Sequence, residues 1–238
     1  NTWVAGGGMS PRPDADLAAR TFDAWAAAGR DADMARGHRR TARHIVESWS
    51  FGPADFVVDV GCGNGWALRW CMTRGAPGGL GLDVSPGMVA RARALSASNG
   101  LRFVVGHAAA LPLPDASVSH LLSVEALYYV PDPEAAVREW ARAARPDAHL
   151  GIMVDLYAEA PLAHAWVEAL DVEVHVFSRL ELASMCEAAG WRDVRTTQVP
   201  DPRPPRDASE FTPDEWEPSY ALHVAARAAG SLIVTGRR

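Results

Sequence analysis

Three glycines at alternate positions, Gly61, Gly63 and Gly65, follow the apolar run Phe56-Val57-Val58-Asp59-Val60. Glycine takes positive φ without strain and lets a ligand come close to backbone N–H groups. A strand that runs into such a turn and then into a helix has the chemistry of a nucleotide-type site at the C-terminal end of a central strand. A pyrophosphate-binding turn also needs a small residue at the third position of G-x-G-x-x-G/A, for close helix–strand packing. That position is Trp66, which points away from a nicotinamide or flavin and toward an adenosine without a pyrophosphate. Asp59, two residues ahead of Gly61, strengthens the pattern. Asp83 ends a second apolar segment. An acid there can accept hydrogen bonds from both ribose hydroxyls, and Ser85, not Asp83, has the position that caps the next helix.

A second group of residues could handle a proton. Glu125, Tyr128 and Tyr129 follow a later apolar segment, Tyr157 follows another, and His38 lies in the N-terminal region. Any of them could serve as a general base for an acceptor that arrives protonated; each also has a plain reading as a cap, a packing residue or a solvated side chain. Phe22, Trp25 and Trp166 could line an apolar pocket, with helix packing the simpler reading. Arg36, Arg39, Arg40 and Arg43 are spaced to share one helical face, either solvated or able to hold an anion.

Composition removes several chemistries. Every basic residue is Arg, so there is no Schiff-base lysine, no P-loop lysine and no lysine base. The three cysteines, Cys62, Cys71 and Cys186, form no CxxC pair, which argues against a disulfide framework and a zinc site and fits a reducing cytoplasm; no metal is expected. A net charge of −6 has the wrong sign for gripping nucleic acid over a broad surface. No apolar run reaches the ~20 residues that span a bilayer. Hydrophobic residues at 48% are enough for a substantial core.

These residues need elements to hold them. Asp14 to Ser50 has a helical pattern with breaks expected at Gly29 and Gly37, giving two or three helices. Strands are then expected at 56–60, 80–83, 101–105, 118–123, 149–155, 191–199 and 231–236. Ser85-Pro86 opens a helix to about Ser98, and Asp132-Pro133 one to about Ala144. Ser178-x-x-Glu181 is a capping box, 201–218 a long loop, and 219–229 a helix. Alternation of this kind predicts an α/β fold with a parallel sheet covered on both faces. Gly6-Gly7-Gly8 before Met9 reads as an appended scar at 1–8, followed by an N-terminal helical cap at 9–52 and a Rossmann-like domain at 53–238.

Asp59-x-Gly61-Cys62-Gly63-x-Gly65 and Gly81-Leu82-Asp83-x-Ser85-Pro86-x-Met88 resemble the class I S-adenosylmethionine-dependent methyltransferases, in particular the small-molecule branch that includes ubiquinone/menaquinone-type enzymes. Gly106-His107-Ala108-Ala109-Ala110-Leu111-Pro112, Ser123-Val124-Glu125-Ala126-Leu127, Arg138-Glu139 with Arg145-Pro146, and the closing Gly230-Ser231-Leu232 extend the likeness over about 56–236. The resemblance implies a seven-stranded, mostly parallel sheet with the last strand antiparallel, and S-adenosylmethionine as cofactor. It implies that Gly61, Gly63 and Gly65 line the methionine portion, with Asp59 near its amino group and Asp83 on the ribose. Val84 and Met88 would wall the adenine. His107, with Ala108 beside it, stands where the family usually has an Asp for the adenine amino group, and a neutral histidine can accept that bond. Ser123 would lie close to the reactive methyl. Glu125, Tyr128 and His38 are the catalytic candidates.

The activity implied is methyl transfer to a small-molecule acceptor, driven mainly by proximity and alignment. Neither nucleic acid nor a membrane is expected as partner, and a homodimer is allowed. Two alternatives stay open: a protein- or nucleic-acid-directed methyltransferase of the same fold, and a non-catalytic S-adenosylmethionine-binding protein. Against DNA, Ser123-Val124-Glu125-Ala126 replaces the Pro-Pro-aromatic tetrapeptide of amino-methylating enzymes, and no Cys follows a Pro.

Overall fold

The computed structural model describes residues 14–96 and 100–238; the segment 1–8, with its reading as a scar, and Ser98 lie outside them. The strands are β1 (Val57–Val60), β2 (Gly79–Asp83), β3 (Leu101–Val105), β4 (Val118–Val124), β5 (Ala144–Val154), β6 (Arg192–Val199) and β7 (Ser231–Arg237). The helices are α1 (Ala15–Ala27), α2 (Asp31–Val46), α3 (Trp66–Thr73), α4 (Pro86–Leu95), α5 (Pro133–Ala143), α6 (Ala163–Ala169), α7 (Arg179–Ala188) and α8 (Tyr220–Ala229). Among the described residues the strands form one sheet, in the order β3-β2-β1-β4-β5-β7-β6. β1 to β5 pair in parallel, and β7 runs antiparallel to both β5 and β6. This is the expected Rossmann-like fold, with β1 central.

Both sheet faces are covered, which is why the inner strands are apolar along their length. Val58, Val60 and Leu121 face a core closed by α5 and α7, which supply Val137, Trp140, Leu182 and Cys186. Val57 and Leu122 face the other core, with α2, α3 and α4. The caps behave as their sequences demand: Ser85 Oγ accepts from Met88 N, Asp132 Oδ1 from Ala135 N, and Ser178 and Glu181 close their box.

Four expectations need correction. Gly29, at φ +74°, does separate α1 from α2, but Gly37 lies inside α2. A helical glycine costs ~1 kcal/mol, less than the burial of Ala42, Ile45 and Val46 returns. That burial also makes the second half of α2 a layer on the sheet. β5 begins at Ala144 rather than His149, through an irregular register and Asp147 at φ +63°. α6 and a 3₁₀ turn at Leu127–Tyr129 were not anticipated. α4 is assigned to Leu95, short of Ser98. Among the described residues no helix is long and apolar enough to cross a membrane.

Candidate active site

Beyond Val60 the chain turns through Gly61 and Gly63 at φ +75° and +52°. A Cβ on Gly61 would come within 2.1 Å of the Ala126 Cβ, so only glycine lets the loop after β4 close over this turn. A Cβ on Gly63 would meet nothing within 4 Å. Gly63 borders a cavity of about 280 Å³. Gly61, Asp83, Val84, Met88, His107, Ala108 and Ser123 also line it, as do Phe22, Met34, His38, Glu125 and Tyr129.

Four candidates lie off the wall. Gly65 packs on Phe103, whose ring would be 2.6 Å from a Cβ there. Asp59 is buried, and its Oδ1 has no hydrogen-bond partner among the described residues. Tyr128 is buried too, and its hydroxyl donates to Glu125 Oε2 at 2.7 Å. Tyr157 belongs to the core, its hydroxyl placed between Gly230 O and Gln198 Nε2.

Asp83 ties the glycine turn to the start of α4. Its Oδ2 accepts from Gly63 N at 2.8 Å and its Oδ1 from Ser85 N at 2.9 Å. Burial raises its pKa against the pull of those N–H groups. Burial, with Asp83 close by, pushes Asp59 up to about 8. Two carboxyls held toward their neutral forms by dehydration gain from a cationic ligand group. The Ser123 hydroxyl, buried on the wall, also lacks a partner among the described residues.

α1 and α2 complete the enclosure from the C-terminal ends of the strands. Asp31, Met34, Ala35 and His38 face the cavity, an i, i+3, i+4, i+7 stripe. Asp23 Oδ1 accepts from Ser85 Oγ and from Gly87 N at 2.8 Å. Asp31 accepts from Asn64 Nδ2 at 2.9 Å and from Arg91 at 3.1 Å, and Phe22 meets Tyr129 edge-on at 4.9 Å. The arginine face of α2 points elsewhere: Arg36 pairs with Asp33, Arg39 lies 5.0 Å over Trp70, and Arg36, Arg39, Arg40 and Arg43 are all exposed.

At the far end of the cavity His38 and Glu125 meet Asp155, which follows β5. Glu125 sits at φ +56°, and its Oε1 accepts from Asp155 N. Burial, and then Asp155, pushes the Glu125 carboxyl well up, while burial lowers His38. Asp155 was missed in the sequence, although an acid at a strand end, like Asp83, was the available signal. Beyond this junction lies a second cavity of about 270 Å³, sharing His38 and lined by Asp155, Trp166, Arg203 and Ser231.

Residues 58–152 match the family described as "Methyltransferase domain". The chain is 31% identical over 192 residues to the malonyl-[acyl-carrier protein] O-methyltransferase of Serratia marcescens, covering 77% of this chain and 70% of that one. It is 36% identical over 138 residues to the "Probable tocopherol O-methyltransferase, chloroplastic" of Oryza sativa subsp. japonica, across 53% of this chain. It spans only 38% of that relative's length. Among solved structures, the methyltransferase bound to the Haloferax volcanii Trm112 methyltransferase activator superposes with a TM-score of 0.85 at 36% identity, over 92% of this chain and 96% of that one.

Proposed function

The chain belongs to the class I S-adenosylmethionine-dependent methyltransferases, and we propose that within that family it methylates a small-molecule acceptor enclosed by α1, α2 and the ends of β4 and β5. The observation that carries this reading is one cavity whose wall holds both the glycine turn with Asp83 and the Phe22, Met34, His38 and Tyr129 side chains. A small acceptor can share that space with the cofactor, whereas a protein or nucleic acid would have to insert a single side chain or base.

The wall suits S-adenosylmethionine, which supplies a methyl on sulfonium with a good neutral leaving group. Asp83 takes the ribose, and Val84, Met88 and Ala108 take the faces of the adenine, with His107 at its polar edge. Gly61 and Gly63 border the methionine portion, whose ammonium is drawn by the Asp59 and Asp83 carboxyls behind the turn. Gly65 acts indirectly, by seating α3 against β3. Ser123, buried beside the wall near the end of β4, would lie close to the methyl. With so good a leaving group, the protein's task is alignment and exclusion of water. Glu125 and His38 lie together at one end of the acceptor space, and Tyr128 holds Glu125 in place. The three buried free cysteines accord with a reducing, cytoplasmic setting.

The test is turnover of S-adenosylmethionine to S-adenosylhomocysteine across a panel of hydroxylated, amine and carboxylate acceptors, with calorimetry of S-adenosylhomocysteine. Binding without turnover on any acceptor would leave a cofactor-binding protein. A second reading is favoured by the 36% identity to the activator-bound methyltransferase: the chain works with an activator protein and takes an acceptor presented in a larger assembly. Turnover that appears only after a copurifying partner is restored would select it.

A further inference from the structure

The junction of the two cavities has a donor set that methyl transfer by proximity does not require. One ligating atom each from His38, Glu125 and Asp155 lies within 4.8 Å of the other two. The three come from separate elements: α2, the turn after β4, and the residue after β5. Tyr128 and Ser231 hold the two carboxylates from outside the cluster. Glu125 is held by Tyr128 Oη and by Asp155 N, and Asp155 Oδ1 accepts from Ser231 Oγ. Asp155 N joins Glu125 through the backbone, but among the described residues no side-chain-to-side-chain hydrogen bond or ion pair joins the three, and one ligating atom of each lies within 4.8 Å of the others. Outer partners that fix the carboxylates while leaving inner lone pairs free are how proteins orient ligands for an ion.

From these observations we propose that His38, Glu125 and Asp155 bind one divalent first-row metal ion between the two cavities, where it holds an oxygen of the acceptor. Two carboxyls brought together in a dry site relieve their repulsion by keeping a proton or by taking a cation between them. Arg203, the nearby cation, is engaged bidentately by Asp201. A triangle of 4.8 Å sides has its centre about 2.8 Å from each corner, against roughly 2.0–2.6 Å for metal–ligand bonds, so small side-chain rotations close it. One imidazole and two carboxylates suit Mn²⁺, Fe²⁺ or Zn²⁺, and three protein ligands leave positions for water or a substrate oxygen. A charge relay fits less well, since it needs the histidine and an acid in direct hydrogen-bond contact. The statement about the acceptor oxygen rests on the methyltransferase reading; the ion site does not.

The experiment titrates metal-stripped full-length protein with MnCl₂ and follows the free Mn²⁺ signal by electron paramagnetic resonance, with S-adenosylhomocysteine affinity measured separately by calorimetry. The expected result is one Mn²⁺ per chain. His38→Asn and Asp155→Asn should each weaken Mn²⁺ binding at least tenfold while S-adenosylhomocysteine affinity is kept. Glu168→Gln, which alters an exposed His–Glu pair on α6, should bind Mn²⁺ like the wild type. Substoichiometric Mn²⁺ in the wild type, or equal affinity in all three variants, would overturn the site; loss of S-adenosylhomocysteine binding by the wild type would instead strike the cofactor reading.

Discussion

With Gly63 N on one oxygen and Ser85 N on the other, the Asp83 carboxylate still has a lone pair free on each oxygen, enough to accept from two ribose hydroxyls. Asp83→Ala should therefore weaken S-adenosylhomocysteine binding by about 1–3 kcal/mol, the range for hydrogen bonds to a charged group. Unchanged calorimetric affinity would remove Asp83 from the ribose. Gly63→Val should be more damaging. Its side chain would enter the space that no protein atom occupies within 4 Å, and valine resists φ +52°; cofactor binding should be lost beyond detection, and a variant that still binds would place the cofactor elsewhere. The glycine turn and Asp83 were legible because their chemistry is local, written in residue type and spacing. Asp59, Gly65 and Tyr128 lie behind the cavity wall, which was not legible, since motif spacing does not say which way a side chain points. Asp155 went unread because its partner His38 is distant in sequence and only the closed fold brings the two together.

α1 reaches the cofactor loops through few bonds, and Asp23 makes two of them, to Ser85 Oγ and Gly87 N at the start of α4. Asp23→Ala should leave the sheet intact, speed hydrogen exchange in α1, and weaken S-adenosylhomocysteine binding by about 0.5–1.5 kcal/mol. Exchange in α1 at the wild-type rate would show that Phe22 and its packing, not Asp23, anchor the helix. At this scale the strands and caps were well forecast, because buried parallel strands read as apolar runs and Ser85, Asp132 and Ser178 have few alternatives to capping. The misses share a cause. Gly37 looked like a break because local propensity opposes it, yet Ile45 and Val46 hold α2 straight through from the far side. β5 was placed too late because its apolar run starts only at the end of the segment, whereas pairing of Ala144 with Val118 carries the strand through a bulge.

Across the whole molecule, Asp59 at the site end of the sheet and His120 at the other end pull stability in opposite directions with pH. At the site end, Asp59 is pushed up to about 8; a carboxyl that is neutral when folded and ionised when unfolded makes the protein more stable as pH falls from about 8 toward 4. At the other end, His120 stacks on His149 at 4.7 Å, with Trp49 and Phe51 against it and Ser119 Oγ 2.8 Å from its Nδ1. Burial, then His149, Arg145 and Arg237, pushes His120 down to about 4, with Asp55 alone pulling it up. His120 therefore stays neutral in the fold, while in the unfolded chain it takes a proton below about 6.5. Its contribution is complete above that value and is lost as pH falls from about 6.5 to 4. Because Asp59 acts with the opposite sign in the same window, the wild-type curve alone conceals the effect. The difference from His120→Asn isolates it: between pH 7 and pH 5 the wild type should lose about 2 kcal/mol relative to the variant, a shift of about 4–8 °C in Tm for a chain of this size. Parallel Tm curves for the two proteins would mean that His120 protonates in the fold as easily as in the unfolded chain, and that its burial against Trp49 and Phe51 does not govern its charge.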